Sequence, residues 1–123
     1  MQPSPRSTRL VLVADDSALV RQVLSQSLKK EGIGIVAAES GAHVLAVDPR
    51  SLSCALLDLD LGDATGVDLA VRLLKEAPEL PIAFFSASVA AEQLVQARTM
   101  GQVFVKPDEL HDALAWAIAR AKG

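Results

Sequence analysis

Acidic, hydroxyl and ammonium side chains follow four of the apolar runs in this sequence. They are Asp15 and Asp16, Asp58 and Asp60, Ser86, and Lys106. Carboxylates that lie together repel one another unless a cation joins them, and Mg²⁺ is a hard cation that takes oxygen ligands and often bridges to phosphate. A lysine ammonium beside such an ion would complete a site for a doubly charged phosphoryl group. One carboxylate of this site could then attack phosphorus and become an acyl phosphate.

Each of these residues also has an ordinary structural interpretation when it is taken alone. Asp16 or Ser17 could cap a helix, and Asp58 could lie in a turn. Ser86 and Lys106 could be solvated surface groups. The whole set, in this order and with its members at the ends of apolar runs, favours the functional interpretation.

The apolar runs that precede these residues are predicted to be strands of one sheet. They are short, continuous and bounded by polar residues, which is typical of strands buried on both faces. The predicted strands cover residues 10–14, 33–37, 54–59, 82–87 and 102–105.

Helical periodicity fills the segments between the predicted strands. The first helix begins near Ser17 and ends at Gly32, and the others cover about 41–47, a stripe at 67, 70, 71 and 74, and about 90–99. Pro107 is predicted to be the first residue of the last helix, because proline suits that position. The apolar stripe of this helix is Leu110, Leu114, Ala117, Ile118 and Ala121. Trp116 lies off the stripe, so it either packs against a loop or belongs to a dimer or target surface.

Strands that alternate with helices predict an α/β domain with a five-stranded parallel sheet and helices on both faces. The carboxyl ends of parallel strands share one edge of the sheet, which is where open α/β sheets bind ligands. The polar set would therefore meet at that edge.

Composition limits the functions that this chain can perform. It has 123 residues, 50% of them hydrophobic, and a formal net charge of −3, so direct binding to nucleic acid has little support. No apolar stretch approaches the roughly 18 residues of a membrane span. Residues 1–9 predict a disordered lead before one domain over residues 10–123. With Cys54 as the single cysteine, we expect a soluble, cytoplasmic protein whose thiol is an inert core group.

The segments VADDSALVRQVL, LLDLDLGDATG, PIAFFSAS and VFVKP resemble those of response regulator receiver domains, such as the single-domain chemotaxis regulator. The resemblance covers about residues 10–122. It implies a flavodoxin-like fold with the sheet order 2-1-3-4-5, the strand order of this family.

The resemblance also implies a role for each residue of the polar set. Asp58 would be the phosphoacceptor, Ser86 the hydroxyl that turns toward the phosphoryl group, and Lys106 the lysine that pairs with it. Gly66 would close the loop after the acceptor. The residues implied to hold Mg²⁺ are Asp15, Asp16, Asp58 and, through its backbone carbonyl, Asp60.

The implied function is that of a phosphoacceptor in two-component signalling. A sensor histidine kinase or a histidine phosphotransfer protein would dock near helix 1 and donate the phosphoryl group from a phosphohistidine. Phosphorylation would shift the population of conformations on the face formed by helix 4, strand 5 and helix 5, through which a homodimer could also form. The chain would catalyse only its own phosphorylation and dephosphorylation.

The sequence departs from the usual family pattern in three places. Gly62 replaces a proline, which we expect to loosen the loop that carries Asp60. Val103 replaces an aromatic switch residue, and strand alternation sends Phe104 to the opposite face. The segments 101–106 and 107–110 are shorter than usual, so the output face is expected to be remodelled. Asp60 and Ser88 flank the implied phosphoryl position, and we expect both to affect the acyl phosphate lifetime.

Three alternatives remain open. Haloacid-dehalogenase-type phosphatases also contain Asp-x-Asp, as in DLDLG, but their nucleophile precedes their acidic pair, whereas Asp15 and Asp16 come first here. A flavodoxin-like cofactor binder would need a phosphate-binding loop after the first strand, and no Ser/Thr/Gly-rich segment follows it. A pseudo-receiver would serve as an interaction module without phosphorylation, which the changes at Gly62 and Val103 favour and the intact acidic set opposes.

Overall fold

The computed structural model of the protein describes residues 9–87 and 91–123. Within these ranges the strands form one parallel sheet in the order β2-β1-β3-β4-β5. The strands are β1 (Leu10–Ala14), β2 (Ile35–Ala38), β3 (Leu52–Leu57), β4 (Ile82–Ser86) and β5 (Gln102–Val105). The fold class and the strand order are therefore confirmed. The predicted second and third strands were displaced by up to two residues, because an apolar run does not mark where hydrogen bonding to a neighbour begins.

Helices cover both faces of the sheet, and all but the last begin and end close to the predicted positions. They are α1 (Ala18–Lys30), α2 (Gly41–Leu45), α3 (Gly66–Glu76), α4 (Ala91–Met100) and α5 (Leu110–Lys122), and a short 3-10 turn (Pro49–Ser51) precedes β3. None of the helices in the described ranges combines the length and the apolar character that a bilayer crossing requires.

Two hydrophobic cores lie on opposite faces of the sheet. In β1, Leu12 faces the core beneath α2, α3 and α4, whereas Val11 and Val13 face the core beneath α1 and α5. In the adjacent strand Leu57 joins the first core and Cys54 the second. This alternation explains why β1 is apolar at every position, since both of its faces are buried.

The last helix differs from its prediction at its first residue and in its buried face. It begins at Leu110 and not at Pro107, because residues 106–109 form a turn in which the Glu109 N–H donates to the Val105 carbonyl at 2.8 Å. The predicted stripe does pack against the second core, but the most buried residues of the helix lie to one side of it. Trp116 is 8% exposed and packs in the second core, so the alternative in which it belongs to a dimer or target surface is wrong. Ala113 is buried beside it, which the stripe did not include.

The predicted face of α3 needs a similar correction. Val71 is 42% exposed, whereas Leu69 and Leu73 are almost fully buried in the first core. Val67 and Ala70, which belong to the predicted stripe, are buried as well. The buried face therefore includes part of the predicted stripe and is displaced from it by part of a turn.

Candidate functional site

The first acidic pair lies between the end of β1 and the beginning of α1. The Asp15 N–H donates to the Ala38 carbonyl on β2 at 3.0 Å, which extends the sheet pairing by one residue. Asp15 is 2% exposed, and its carboxylate accepts a hydrogen bond from the Ser17 N–H at 2.9 Å. Ser17 caps α1 through its hydroxyl, so the cap is not Asp16, whose side chain is exposed. The two carboxylates are thus held in different environments at one strand end.

Asp58 follows β3 directly and receives hydrogen bonds from three residues. Its Oδ1 accepts from the Ser86 hydroxyl at 2.9 Å and from the Asp60 N–H at 3.1 Å. Its Oδ2 accepts from the Lys106 ammonium at 3.0 Å. Asp58 is 7% exposed. The structure therefore places the predicted hydroxyl and the predicted lysine in hydrogen-bond contact with the carboxyl group of the predicted acceptor.

Lys106 joins the two buried carboxylates. Its ammonium lies 2.6 Å from Asp15 Oδ2 and 3.0 Å from Asp58 Oδ2, and 5.5 Å from the centre of the Phe85 ring. Burial lowers the pKa of Lys106, but hydrogen bonds to Asp15 and Asp58 outweigh it, so the pKa is above its ordinary value. Burial raises the pKa of Asp15, and the contacts with Lys106 and Ser17 offset this only in part. The lysine therefore stays charged at neutral pH.

The acidic residues also fit a divalent cation. Asp15, Asp16 and Asp58 each offer one carboxylate oxygen, and these oxygens all lie within 4.8 Å of one another. Hard oxygen donors of this kind suit Mg²⁺, which keeps several waters and needs few protein ligands. Because Asp16 faces solvent, an ion could enter from that side without passing through the core.

A backbone hydrogen bond joins the two ends of the acceptor loop, residues 58–66. The Gly66 N–H donates to the Leu59 carbonyl at 2.9 Å, and a Cβ on Gly66 would overlap the carbonyl oxygen of Asp58. Only glycine fits there, in agreement with the predicted loop-closing role. Gly62 has a φ of 82°, and its N–H donates to the Asp60 carboxylate at 2.9 Å. A proline, with φ near −65° and no N–H, would fit neither condition.

Asp63 is a residue of this loop that the sequence analysis missed. Its carboxylate accepts the N–H groups of Gly41 at 2.8 Å and of Ala42 at 3.1 Å, both in the first turn of α2. These hydrogen bonds hold the pKa of Asp63 below its ordinary value. The partners are more than 20 residues away in the chain, so no local pattern could have indicated the contact. Ser88, which was expected to flank the site, lies outside the described residues.

An apolar groove of about 250 Å³ lies beside the carboxylate cluster, between α1 and the turn after β5. Its lining comprises Leu19, Val20, Val23, Phe85, Ala87, Lys106, Pro107 and Leu110. Leu19 is 70% exposed, so a large apolar side chain faces solvent at the edge of the groove. The groove therefore offers a hydrophobic surface within reach of Lys106.

The strand that leads to Lys106 places its two bulky residues on opposite faces, as predicted. Val103 is half-buried against the first core, and Phe104 is buried in the second. Val105 is 41% exposed, and Val95 on the neighbouring α4 is 67% exposed. These valines are exposed apolar side chains on the face formed by α4 and β5.

A family model of the response regulator receiver domain matches residues 11–115. The probable transcriptional regulatory protein TcrX of Mycobacterium tuberculosis is 33% identical over 92 residues, which are 74% of this chain and 39% of that protein. The sensor protein TorS of Escherichia coli is 37% identical over 90 residues, which are 72% of this chain and 10% of TorS. The chain thus spans well under half the length of these relatives.

Solved structures show the same fold. The non-phosphorylated HemR receiver domain from Leptospira biflexa superposes with a TM-score of 0.80 and 23% sequence identity, over 90% of this chain and 94% of that one. At this identity the likeness concerns the fold alone.

Proposed function

The chain belongs to the response regulator receiver family, and we propose that Asp58 is its phosphoacceptor. The observation that carries this proposal is the environment of one carboxyl group. Asp58 is almost buried, yet it lies in contact with a hydroxyl, an ammonium and a backbone N–H, from Ser86, Lys106 and Asp60. These are the donors that a transferred phosphoryl group needs for its oxygens.

The proposed reaction forms one bond and breaks another at phosphorus. A carboxylate oxygen of Asp58 attacks the phosphorus atom of a phosphohistidine, a P–O bond forms, and the P–N bond breaks as the imidazole leaves. The Lys106 ammonium and the Ser86 hydroxyl would then transfer their hydrogen bonds from the carboxylate to phosphoryl oxygens. Attack by water on phosphorus would later release inorganic phosphate and restore Asp58.

Mg²⁺ is the proposed cofactor. Asp15, Asp16, Asp58 and the backbone carbonyl of Asp60 would hold it, and the spacing of the three carboxylates supports this assignment. When bound, the ion would supply positive charge that offsets the repulsion between the carboxylates and the incoming phosphoryl group. Metal binding would explain why two adjacent aspartates follow β1. The N-cap of α1 is Ser17, so capping requires neither aspartate.

The proposed donor is a sensor histidine kinase or a histidine phosphotransfer protein. The apolar groove beside α1 supports this, because Lys106 both lines the groove and donates a hydrogen bond to Asp58. A helix of the donor that covered Leu19 and Val23 would bring its phosphohistidine toward the acceptor and exclude water. Cys54, a buried free thiol, fits the reducing cytoplasm in which we propose that the transfer takes place.

The proposed output surface is the face formed by α4, β5 and α5. Val95 and Val105 are exposed there and could contact a target or a second copy of the chain. Val103 has no aromatic ring to reorient, so the proposed shift would rest on movement of the Ser86 region and α4.

Phosphorylation by a small donor tests the proposed function. The protein is incubated with Mg²⁺ and acetyl phosphate, and intact mass is recorded for wild type, Asp58→Ala and the exposed control Asp48→Ala. We expect a gain of one phosphoryl group in wild type and in Asp48→Ala, and none in Asp58→Ala or with EDTA. No gain in any protein would contradict the proposal and favour an interaction module that is not phosphorylated.

A further inference from the structure

The contact between Asp63 and α2 joins the acceptor loop to a helix outside the carboxylate cluster. The first N–H groups of a helix have no carbonyl partner within it. Asp63 accepts two of them, from Gly41 and Ala42, and the Ser40 hydroxyl accepts a third, from His43 at 3.2 Å. The loop thus supplies most of the N-terminal cap of α2.

The close approach of the two segments depends on a glycine. A Cβ on Gly41 would lie 2.7 Å from the Cβ of Ala64 and 3.1 Å from the carboxylate of Asp63. Even alanine at position 41 would therefore push the loop away from α2. This steric observation is independent of the hydrogen bonds and indicates the same attachment.

The segment that Asp63 anchors is internally closed. The Gly62 N–H donates to the Asp60 carboxylate at 2.9 Å, and the Leu61 N–H donates to the Ala64 carbonyl at 3.0 Å. Leu61 is 3% exposed and packs in the first core. Residues 60–64 therefore form one compact turn, with Asp63 on its outer side and Asp60 toward the acceptor.

Displacement of this turn would change the surroundings of Asp58 directly. The Asp60 N–H donates to Asp58 Oδ1 at 3.1 Å, and the Asp60 carbonyl is the backbone ligand assigned above to Mg²⁺. We propose that Asp63 is a positioning residue, which fixes the backbone of Asp60 for metal binding by tying the acceptor loop to α2. This inference rests on the proposed function of Asp58.

The test compares the affinity for Mg²⁺ with the rate of phosphorylation by acetyl phosphate at saturating Mg²⁺. The shifts of the Asp60 and Gly62 amide NMR signals are titrated with Mg²⁺ alone for wild type, Asp63→Ala, Asp63→Asn and Gly41→Ala. We expect the dissociation constant to rise roughly tenfold in Asp63→Ala, as for other residues that orient metal ligands. Asp63→Asn keeps one acceptor oxygen and should lose less. Gly41→Ala should weaken binding although it retains the carboxylate.

Asp68→Ala is the matched control. Asp68 is an exposed carboxylate in the first turn of α3, and no hydrogen bond to its side chain is found within residues 9–87 and 91–123. Its loss changes the net charge as the loss of Asp63 does, so affinity should stay at the wild-type value. At saturating Mg²⁺, phosphorylation of all these variants by acetyl phosphate should regain the wild-type rate.

Three outcomes would overturn the inference. Folded Asp63→Ala and Gly41→Ala proteins that bind Mg²⁺ as tightly as wild type would contradict it while leaving the proposed function intact. A phosphorylation rate of Asp63→Ala that stays low at saturating Mg²⁺ would indicate that the variant disrupts the whole site and does not only displace the backbone of Asp60. A wild-type protein that binds no Mg²⁺ would overturn both this inference and the metal-dependent function on which it rests.

Discussion

The ammonium of Lys106 lies 2.6 Å from a carboxylate oxygen of Asp15. Their side chains are only 12% and 3% exposed, so the pair is largely removed from water. The same ammonium contacts Asp58 at 3.0 Å, and it is the cation that the structure places between these two buried carboxylates. Its removal would leave like charges facing each other in a poorly solvated site.

We therefore expect Lys106→Met to lower the free energy of unfolding by about 3 kcal/mol in metal-free buffer, as when one partner of a buried ion pair is removed. Mg²⁺ should stabilise this variant more than wild type, because its charge can replace the ammonium. Urea denaturation with and without Mg²⁺ measures both effects. Lys122→Met breaks an exposed pair with Glu31 and should cost less than about 1 kcal/mol. Equal losses in the two variants would contradict the buried role of Lys106.

Gly62→Ala should destabilise the protein through its backbone conformation alone. Gly62 has a φ of 82°, and a Cβ there would meet nothing within 4 Å. We expect a loss of about 1 kcal/mol, the cost of the left-handed region for an L residue. Gly62→Pro should lose more, because it also removes the N–H bound to Asp60. Denaturation followed by the fluorescence of Trp116 measures these losses.

Gly32→Ala is the control for position 62. Gly32 has a φ of 78° and equal space around it, but it follows α1 and lies outside the acceptor loop. It should cost the same stability without slowing the phosphorylation that we propose for Asp58, whereas Gly62→Pro should slow it. An unchanged stability of Gly62→Ala would show that the loop adopts another conformation in solution.

The sequence predicts the meeting of Asp15, Asp58 and Lys106 because strand ends obey a simple rule. Parallel strands present their carboxyl ends at one edge, so polar residues that follow buried strands must lie close together. This edge can be identified from the positions of the apolar runs alone, which are clear in the amino-acid sequence. Exact strand bounds are not needed, and the displaced bounds of β2 and β3 did not affect the site.

Trp116 and Asp63 show what such patterns cannot supply. The buried face of α5 is set by packing against the sheet, where Ala113 and Ala117 are buried beside the indole. A stripe drawn through the larger aliphatic residues points about one position away. Asp63 bonds to backbone N–H groups, and although Gly41 permits a close approach, a glycine alone does not indicate which segment approaches it.

The thiol of Cys54 should be unreactive in the folded protein. Burial raises its pKa from 9.0 to about 12, so its thiolate fraction near neutral pH is about a thousandfold below that of an exposed thiol. We expect no adduct after treatment with iodoacetamide near pH 8, and one adduct per chain in urea, measured by intact mass. Rapid labelling without denaturant would mean that α5 opens readily, since Cys54 lies beneath Ala117.

The contribution of Asp63 to stability should depend on pH in a direction that its hydrogen bonds determine. The N–H groups of Gly41 and Ala42 lower the pKa of Asp63 from 3.8, so the folded state binds this proton more weakly than the unfolded state. The stabilisation is therefore complete above that value and is lost as the pH falls through the lowered pKa. Asp63→Asn should be less stable than wild type at neutral pH, and the difference should shrink toward acidic pH.

Ser40→Ala removes a cap of the same helix that does not titrate, so its deficit should stay constant. Urea denaturation of the three proteins between about pH 7 and about pH 2.5 separates the two patterns. A deficit of Asp63→Asn that is as large at the acidic end as at neutral pH would contradict the charged cap.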